Sequence, residues 1–338
     1  MSPYPISIAR LNAAAYVLTA AALCLVLGLH LLATLFAGLL VYSLVTTLAP
    51  ALQRHVPGVH AHWLVVVLLA VLVVGVFTLA IAAAVDFLIS KNGNPSIFFE
   101  RLTPLIEQAH AQLPQFIVDR LPDDSAEMRT AVMDWLSEHT AQLQVAGKQA
   151  VRVIVQLIIG IVLGAMLALH GAHERPAGGS LSVALNARAG HLVHAFRDVV
   201  FAQFKISALN TLFTGGFLLI GLPLFGISLP LAKTLVVLTF VVGLLPVIGN
   251  LISNTLIVVV ALSHSLFVGI AALAFLVVIH KLEYFLNARL LGTRIQAFAW
   301  ELLIAMLLME ALFGTAGLIA APIYYAYVKR ELREAGLI

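Results

Sequence analysis

Charge is what this sequence has least of. Asp, Glu, Lys and Arg make up 10% of its 338 residues, where a soluble domain carries about 25%. A surface that poor in charge argues against a soluble enzyme, a nucleic-acid binder and a disordered chain. Cysteine is nearly absent: Cys24 alone cannot close an intrachain disulfide. The motifs of soluble chemistry are missing as well. Gly178-Gly179 is not followed by Lys-Ser or Lys-Thr, so the chain has no phosphate-binding loop and no mark of an ATP-driven pump. No His-Glu-x-x-His or Gly-x-Ser-x-Gly occurs, so a non-enzyme without a cofactor is expected. His60 and His62 lie two apart and His191 and His194 three apart. Neither pair has the cysteine or carboxylate company that would complete a metal site, and none is expected.

What the sequence has instead is long apolar runs. Hydrophobic residues reach 62%. Residues 11–53, 55–85, 153–173, 206–232, 234–280 and 311–328 hold no Asp, Glu, Lys or Arg. A spanning helix needs about 20 apolar residues. The reading is an all-α, polytopic membrane protein with five to six full spans. Arg10 before an apolar stretch superficially resembles a signal peptide. The run behind it is long enough for two spans, so no cleavable signal is expected.

Along the chain, spans are expected over 11–28 and 31–50, with a turn at Gly28-Leu29-His30 and a stop at Pro50. A third follows over 62–89. Residues 91–150 differ in kind, with eight acids and five bases, a net of −3 against about +6 for the rest. Apolar residues recur there every three or four positions, at Phe98, Leu102, Leu105, Ala109, Leu113 and Phe116, then at Met128, Val132, Trp135, His139 and Leu143. This predicts an extramembrane helical hairpin over 91–150 whose second helix runs unbroken into a span over 151–169. Residues 1–90 and 151–338 form the membrane parts on either side of it. A separate helix over 181–204 is expected before a span over 206–226. Arg10, Arg54, Arg175, Arg188, Arg197, Lys329, Arg330 and Arg333 place both termini in the cytoplasm by the bias of basic residues to that side.

The last third is interrupted. Residues 230–263 break at Leu245-Pro246-Val247-Ile248-Gly249-Asn250, and 297–328 break at Phe313-Gly314-Thr315-Ala316-Gly317. Each half is about 15 residues, thin for a crossing. Pro246, Gly249, Gly314 and Gly317 make the breaks. Two Gly/Pro-interrupted segments in corresponding places point to a transport site. They fit either dipping hairpins or short spans.

These residues resemble the autoinducer-2 exporter family of bacterial permeases. Leu245-Pro246-Val247-Ile248-Gly249 is similar to its proline-centred break. Glu283-Tyr284-Phe285-Leu286-Asn287 followed by Arg289-Leu290-Leu291-Gly292 is similar to its Glu-Asn stretch. Leu312-Phe313-Gly314-Thr315-Ala316-Gly317 with Pro322 is similar to its ending. The order and spacing agree across 150–330. Ala288 and Ala299 stand where that pattern has proline, Glu310 where it has a small residue, and His280 where it has glutamine. The resemblance implies a secondary transporter of the bacterial inner membrane that exports a small polar solute or exchanges a cation for protons. It does not name the cargo. The alternative is an oligomeric channel or membrane scaffold.

A carboxylate inside a bilayer costs at least about 2.5–3.5 kcal/mol and is a functional candidate for that reason. Glu283 shares a helix face with His280 and Asn287, fitting either a proton or cation site or an internal pair with Lys281 or Arg289. Glu310 lies close to the second break. Glu301 follows Trp300, which suits anchoring at the interface equally well. Asn250, Ser253 and Asn254 follow the first break. They can complete a polar cage for a solute or re-satisfy the broken helix's own backbone. The expected partners are lipid, a small solute or cation, and further copies of the chain, since an apolar seam on a lone hairpin calls for cover.

Overall fold

The computed structural model describes residues 8–56, 58–89, 130, 133–134, 137–173, 179–244, 248–262, 264–290 and 298–338. The expected outer hairpin over 91–150 lies for the most part outside them, as does Pro246. No strand occurs among the described residues. The helices are α1 (Ile8–Gly28), α2 (Leu32–Leu52), α3 (His60–Ile89), α4 (Thr140–His173), α5 (Ser180–Gly216), α6 (Ala232–Gly243), α7 (Ile248–Leu262), α8 (Leu266–Leu290) and α9 (Ala299–Glu334). Five stretches are long and apolar enough to cross a membrane: Arg10–Gly28, Leu32–Leu52, Thr140–Gly171, Ser180–Leu224 and Trp300–Glu334. The chain is an all-α, multi-pass membrane protein.

The turn expected at Gly28-Leu29-His30 is present, with His30 in the left-handed region at φ 56°. Three expected boundaries move. Pro50 does not stop α2, which runs to Leu52. In the last turn a proline removes only one bond, and the Gln53 amide still donates to the Ala49 carbonyl at 2.8 Å. The helix expected to run unbroken through 139 has a turn there, and α4 starts at Thr140. The Ser137 hydroxyl donates to the Asp134 carbonyl and the Thr140 hydroxyl to the Ser137 carbonyl, both at 2.8 Å. Such bonds compete with the regular ladder. The separate helix over 181–204 and the span over 206–226 are one element. Residues 191–214 contain neither Gly nor Pro, and a lone Lys205 does not end a helix. Past Gly216 the element widens into a π-turn over Phe217–Gly221 and ends with Leu222–Leu224. Pro223 has no N–H for the ladder and its ring crowds the carbonyl four residues back, which the wider turn relieves.

The chain divides into two compact units. The first comprises Met1–Val74, Lys148–Phe201 and Leu291–Ile338, the second Gly75–Gly147 and Ala202–Leu290.

In the first unit, α2 and α4 meet backbone to backbone. A Cβ on Gly160 would lie 2.3 Å from the Thr34 carbonyl oxygen, and one on Gly164 would lie 2.3 Å from that of Gly38. Only glycines permit so close an approach. Gln156 Nε2 donates to the His30 carbonyl at 2.9 Å, so α4 also satisfies the turn before α2. One apolar core joins Leu23 and Leu27 of α1, Phe196 and Val199 of α5, and Ala320, Ile323 and Tyr327 of α9. A second joins Val41, Val45 and Ala49 of α2 with Val65 of α3 and Ala168 of α4.

Although α9 is continuous in sequence, it is folded double. Gly314 has φ 62° and ψ −148°, outside any helix. A Cβ on Gly317 would sit 1.9 Å from the Met309 carbonyl oxygen, eight residues back. In a straight helix those positions are about 12 Å apart. At the open end, Tyr325 Oη and Lys329 Nζ each reach Glu301 Oε2 at 2.6 Å. The arms 299–313 and 315–334 therefore run antiparallel, with Gly314 at the tip.

Candidate functional site

The second unit contains a hairpin of its own, and its tip is the most polar buried place in that unit. α6 is 12 residues and α7 is 15, about 18 and 22 Å at 1.5 Å per residue. Neither matches a hydrocarbon core of about 30 Å. Their register against α5 is fixed by side-chain bonds. Gln203 Nε2 donates to the Gly243 carbonyl at 2.7 Å, and Ser207 Oγ donates to the Phe240 carbonyl at 2.7 Å. A Cβ on Gly215 would meet Val236. As α5 advances, α6 recedes, so the two are antiparallel. Asn210 Nδ2 donates to Asn250 Oδ1 at 3.3 Å. Farther along, Leu218 and Leu222 of α5 share a core with Ile257 and Ala261 of α7, so α7 runs parallel to α5. α6 and α7 thus form a helical hairpin whose tip, the facing ends at Leu244 and Ile248, lies beside residues 203–210.

The chemistry of the tip follows from the break. The last carbonyls of a helix have no partner within it, and in an apolar phase each unmet group costs several kcal/mol. The Leu244 amide turns to the Val241 carbonyl at 3.4 Å. The carbonyls of Phe240 and Gly243 are met instead by side chains of α5. Gly243 has to be small, because a Cβ there would be 2.7 Å from Ser207 Oγ. Gly249 has to be small too, because its Cβ would be 2.1 Å from the Val242 carbonyl oxygen.

Gln203, Ser207, Asn210 and Thr214 fall at offsets of four, seven and eleven, so they form one stripe down α5. Ser207, Thr214 and Ser253 are each 1% exposed and Asn210 is 5% exposed. The stripe carries no charge. Lys205 and Lys233 are exposed, away from it. Charge-poor spans hide such a stripe from a search for ionisable residues. The spacing of amides and hydroxyls at 203, 207, 210 and 214 is the signal that the sequence offers, and it gains meaning once the register of α5 is known.

Of the residues singled out in the sequence, Asn250 and Ser253 lie at this tip. Ser253 Oγ donates to the Asn250 carbonyl at 3.4 Å. Asn254 is half-buried one turn beyond Asn250. His280 is exposed on α8, whose earlier turns pack on the hairpin through Val268, Ala272 and Leu276. The side chains of Glu283 and Asn287, on the same helix, lie outside the described residues. Glu310 belongs to the first unit. It is exposed on the first arm of α9, one turn before Gly314.

Two ionic groups also belong to the first unit, one half-buried and one buried. The half-buried Glu301 Oε2 accepts from Tyr325, Lys329 and the Phe298 amide, which closes the α9 hairpin. Glu331 meets Arg188 Nη1 and His191 Nδ1, each at 3.1 Å. The Arg188 guanidinium lies 4.1 Å above the Tyr16 ring. No group of three or more His, Cys, Asp or Glu able to hold a metal occurs among the described residues.

A multi-pass helical bundle with a half-length hairpin, its broken end satisfied by polar side chains of a neighbouring span, has the build of a membrane transporter. The chain belongs to the AI-2E family transporters: the model of that family matches residues 14–335, nearly its whole length. No curated protein and no solved structure matches it.

Proposed function

We propose that the chain is a secondary transporter of the bacterial inner membrane, carrying a small polar solute or exchanging a cation for protons, with the α5 stripe and the tip of the α6–α7 hairpin as the solute's path. The observation that carries this is the tip itself. Its backbone is broken, and its free carbonyls are held by side chains that a solute can replace. Glu283 is the coupling residue, since it lies on α8, the helix that follows this hairpin, on the face shared with His280 and Asn287. Both termini are cytoplasmic, residues 91–150 are extramembrane, and the protein works as a homo-oligomer.

The test uses proteoliposomes with an imposed pH gradient and a panel of radiolabelled polar solutes and monovalent cations. Wild type is expected to show saturable, gradient-dependent flux. Glu283→Gln keeps shape and hydrogen bonding but cannot titrate, and is expected to insert normally and lose the dependence on the gradient. Flux in that variant with unchanged pH dependence rules out Glu283. Rapid, non-saturating flux in wild type supports a channel instead.

A further inference from the structure

Four threonines of these helices share a habit. Thr19, Thr46, Thr239 and Thr255 each donate to the carbonyl four residues earlier, at 2.7–2.8 Å. Thr211 and Thr214 break it. Their hydroxyl oxygens are buried and have no hydrogen-bond partner among the described residues. Both lie on α5 directly after Asn210. A threonine on an apolar helix that forgoes its own backbone carries an unspent donor and two lone pairs. Natural structures seldom leave such a group buried and unpaired without a reason.

The atoms opposite that bond to the row are oxygens. Two carbonyls at the carboxyl end of α6 face Gln203 and Ser207, and Asn250 presents its Oδ1 to Asn210. All three are acceptors, and the carboxyl end of a helix carries the negative end of its dipole. The positive end of α7 is at the same tip, where Gly249 lets the Val242 carbonyl oxygen of α6 come close to it. The lysines nearest in sequence, Lys205 and Lys233, are exposed off the stripe.

We infer that the α5 row from Gln203 to Thr214, faced by the carbonyl end of α6, is a charge filter: it admits a solute that brings hydrogen-bond donors and no net negative charge, with Thr211 and Thr214 accepting those donors. The inference rests on the reading of this seam as the transport path. When such a solute arrives, its donors take the Phe240 and Gly243 carbonyls, and the amide of Gln203 and the hydroxyl of Ser207 turn away. An anion offers those carbonyls nothing and is repelled.

A thiol placed in the row tests this without knowledge of the cargo. In full-length protein in liposomes, with the exposed Cys24 changed to alanine, Thr214→Cys is treated with two methanethiosulfonates of similar size. One carries ethyltrimethylammonium and the other ethylsulfonate. Rates are normalised to those of a free thiol. The cationic reagent is expected to react faster by about two- to fivefold, the preference of a helix carboxyl end for a cation. Equal rates, a faster anionic reagent, or no reaction with either overturns the filter. If Thr214→Cys does not elute as a folded species, Ser207→Cys is read in the same way. Coupled flux in wild type without a labelling bias overturns the filter alone. A labelling bias without coupled flux overturns the transporter reading and leaves the filter standing.

Discussion

Gly160 and Gly147 lie on the same helix and should respond to alanine with opposite signs. At Gly160 a Cβ would be 2.3 Å from the Thr34 carbonyl oxygen and 2.9 Å from Ala37 Cβ, whereas ordinary contact begins at 3.4 Å. The nearest obstacle is backbone, which cannot rotate aside. From 3.4 Å less 2.3 Å, α2 and α4 have to part by roughly 1 Å, and a gap of that size forfeits up to about half of each dispersion contact along the seam. Overpacking of this kind costs about 1–3 kcal/mol. At Gly147 nothing lies within 4 Å, so alanine brings only its better helix propensity, a gain of about 0.8–1 kcal/mol. In a thermal-stability assay read by size-exclusion of detergent-solubilised protein, Gly160→Ala should lower the midpoint by about 2–8 °C and Gly147→Ala should hold or raise it. Gly164→Ala should follow Gly160→Ala, since the Gly38 backbone blocks it in the same way. Equal midpoints for Gly160→Ala and Gly147→Ala would falsify the backbone contact between α2 and α4.

Three further outcomes are expected. Ser207→Ala removes the donor to the Phe240 carbonyl and should cost about 1–3 kcal/mol, seen as faster hydrogen exchange confined to 232–262; uniform exchange across the chain would count against the capping role. Arg188→Met leaves the Glu331 carboxylate buried beside His191 and Tyr327 without its cation and should cost about 3–5 kcal/mol, with the double variant Arg188→Met/Glu331→Leu recovering much of it; no recovery would mean that the pair does more than neutralise itself. Lys329→Met should loosen the open end of the α9 hairpin, raising protease cleavage near 298–301 more than near Gly314; equal change at both places would contradict the antiparallel arms.

The apolar runs and the two interruptions were legible because both are local. A charge-free stretch has no other home than a bilayer or a core, and glycine at φ 62° in the middle of α9 declares a turn. Leu245 to Asn250 declared the other break through Pro246 and Gly249. The union of 181–204 with 206–226 was not legible, because the charge-bearing helix and the charge-free run differ in composition while nothing in the backbone chemistry of 191–214 separates them. The polar stripe escaped for a different reason. Asn210 and Thr214 become notable only when the register of α5 against α6 and α7 is known, and that register depends on contacts 33 to 40 residues apart in sequence. Glu301 shows the converse. Its neighbour Trp300 is plain in the sequence, but its partners Tyr325 and Lys329 lie 24 and 28 residues later.

That delay has a consequence for how the protein is made. The first arm of α9 leaves the ribosome with its carboxylate already in place, while Lys329 follows 28 residues behind. At about 5–20 residues per second the gap lasts roughly 1–6 s. A lone carboxylate entering the apolar phase in that interval faces the full cost of solitude. Entry of the two arms as a pair, with Gly314 as the pivot on which the late arm swings in, spares Glu301 that cost.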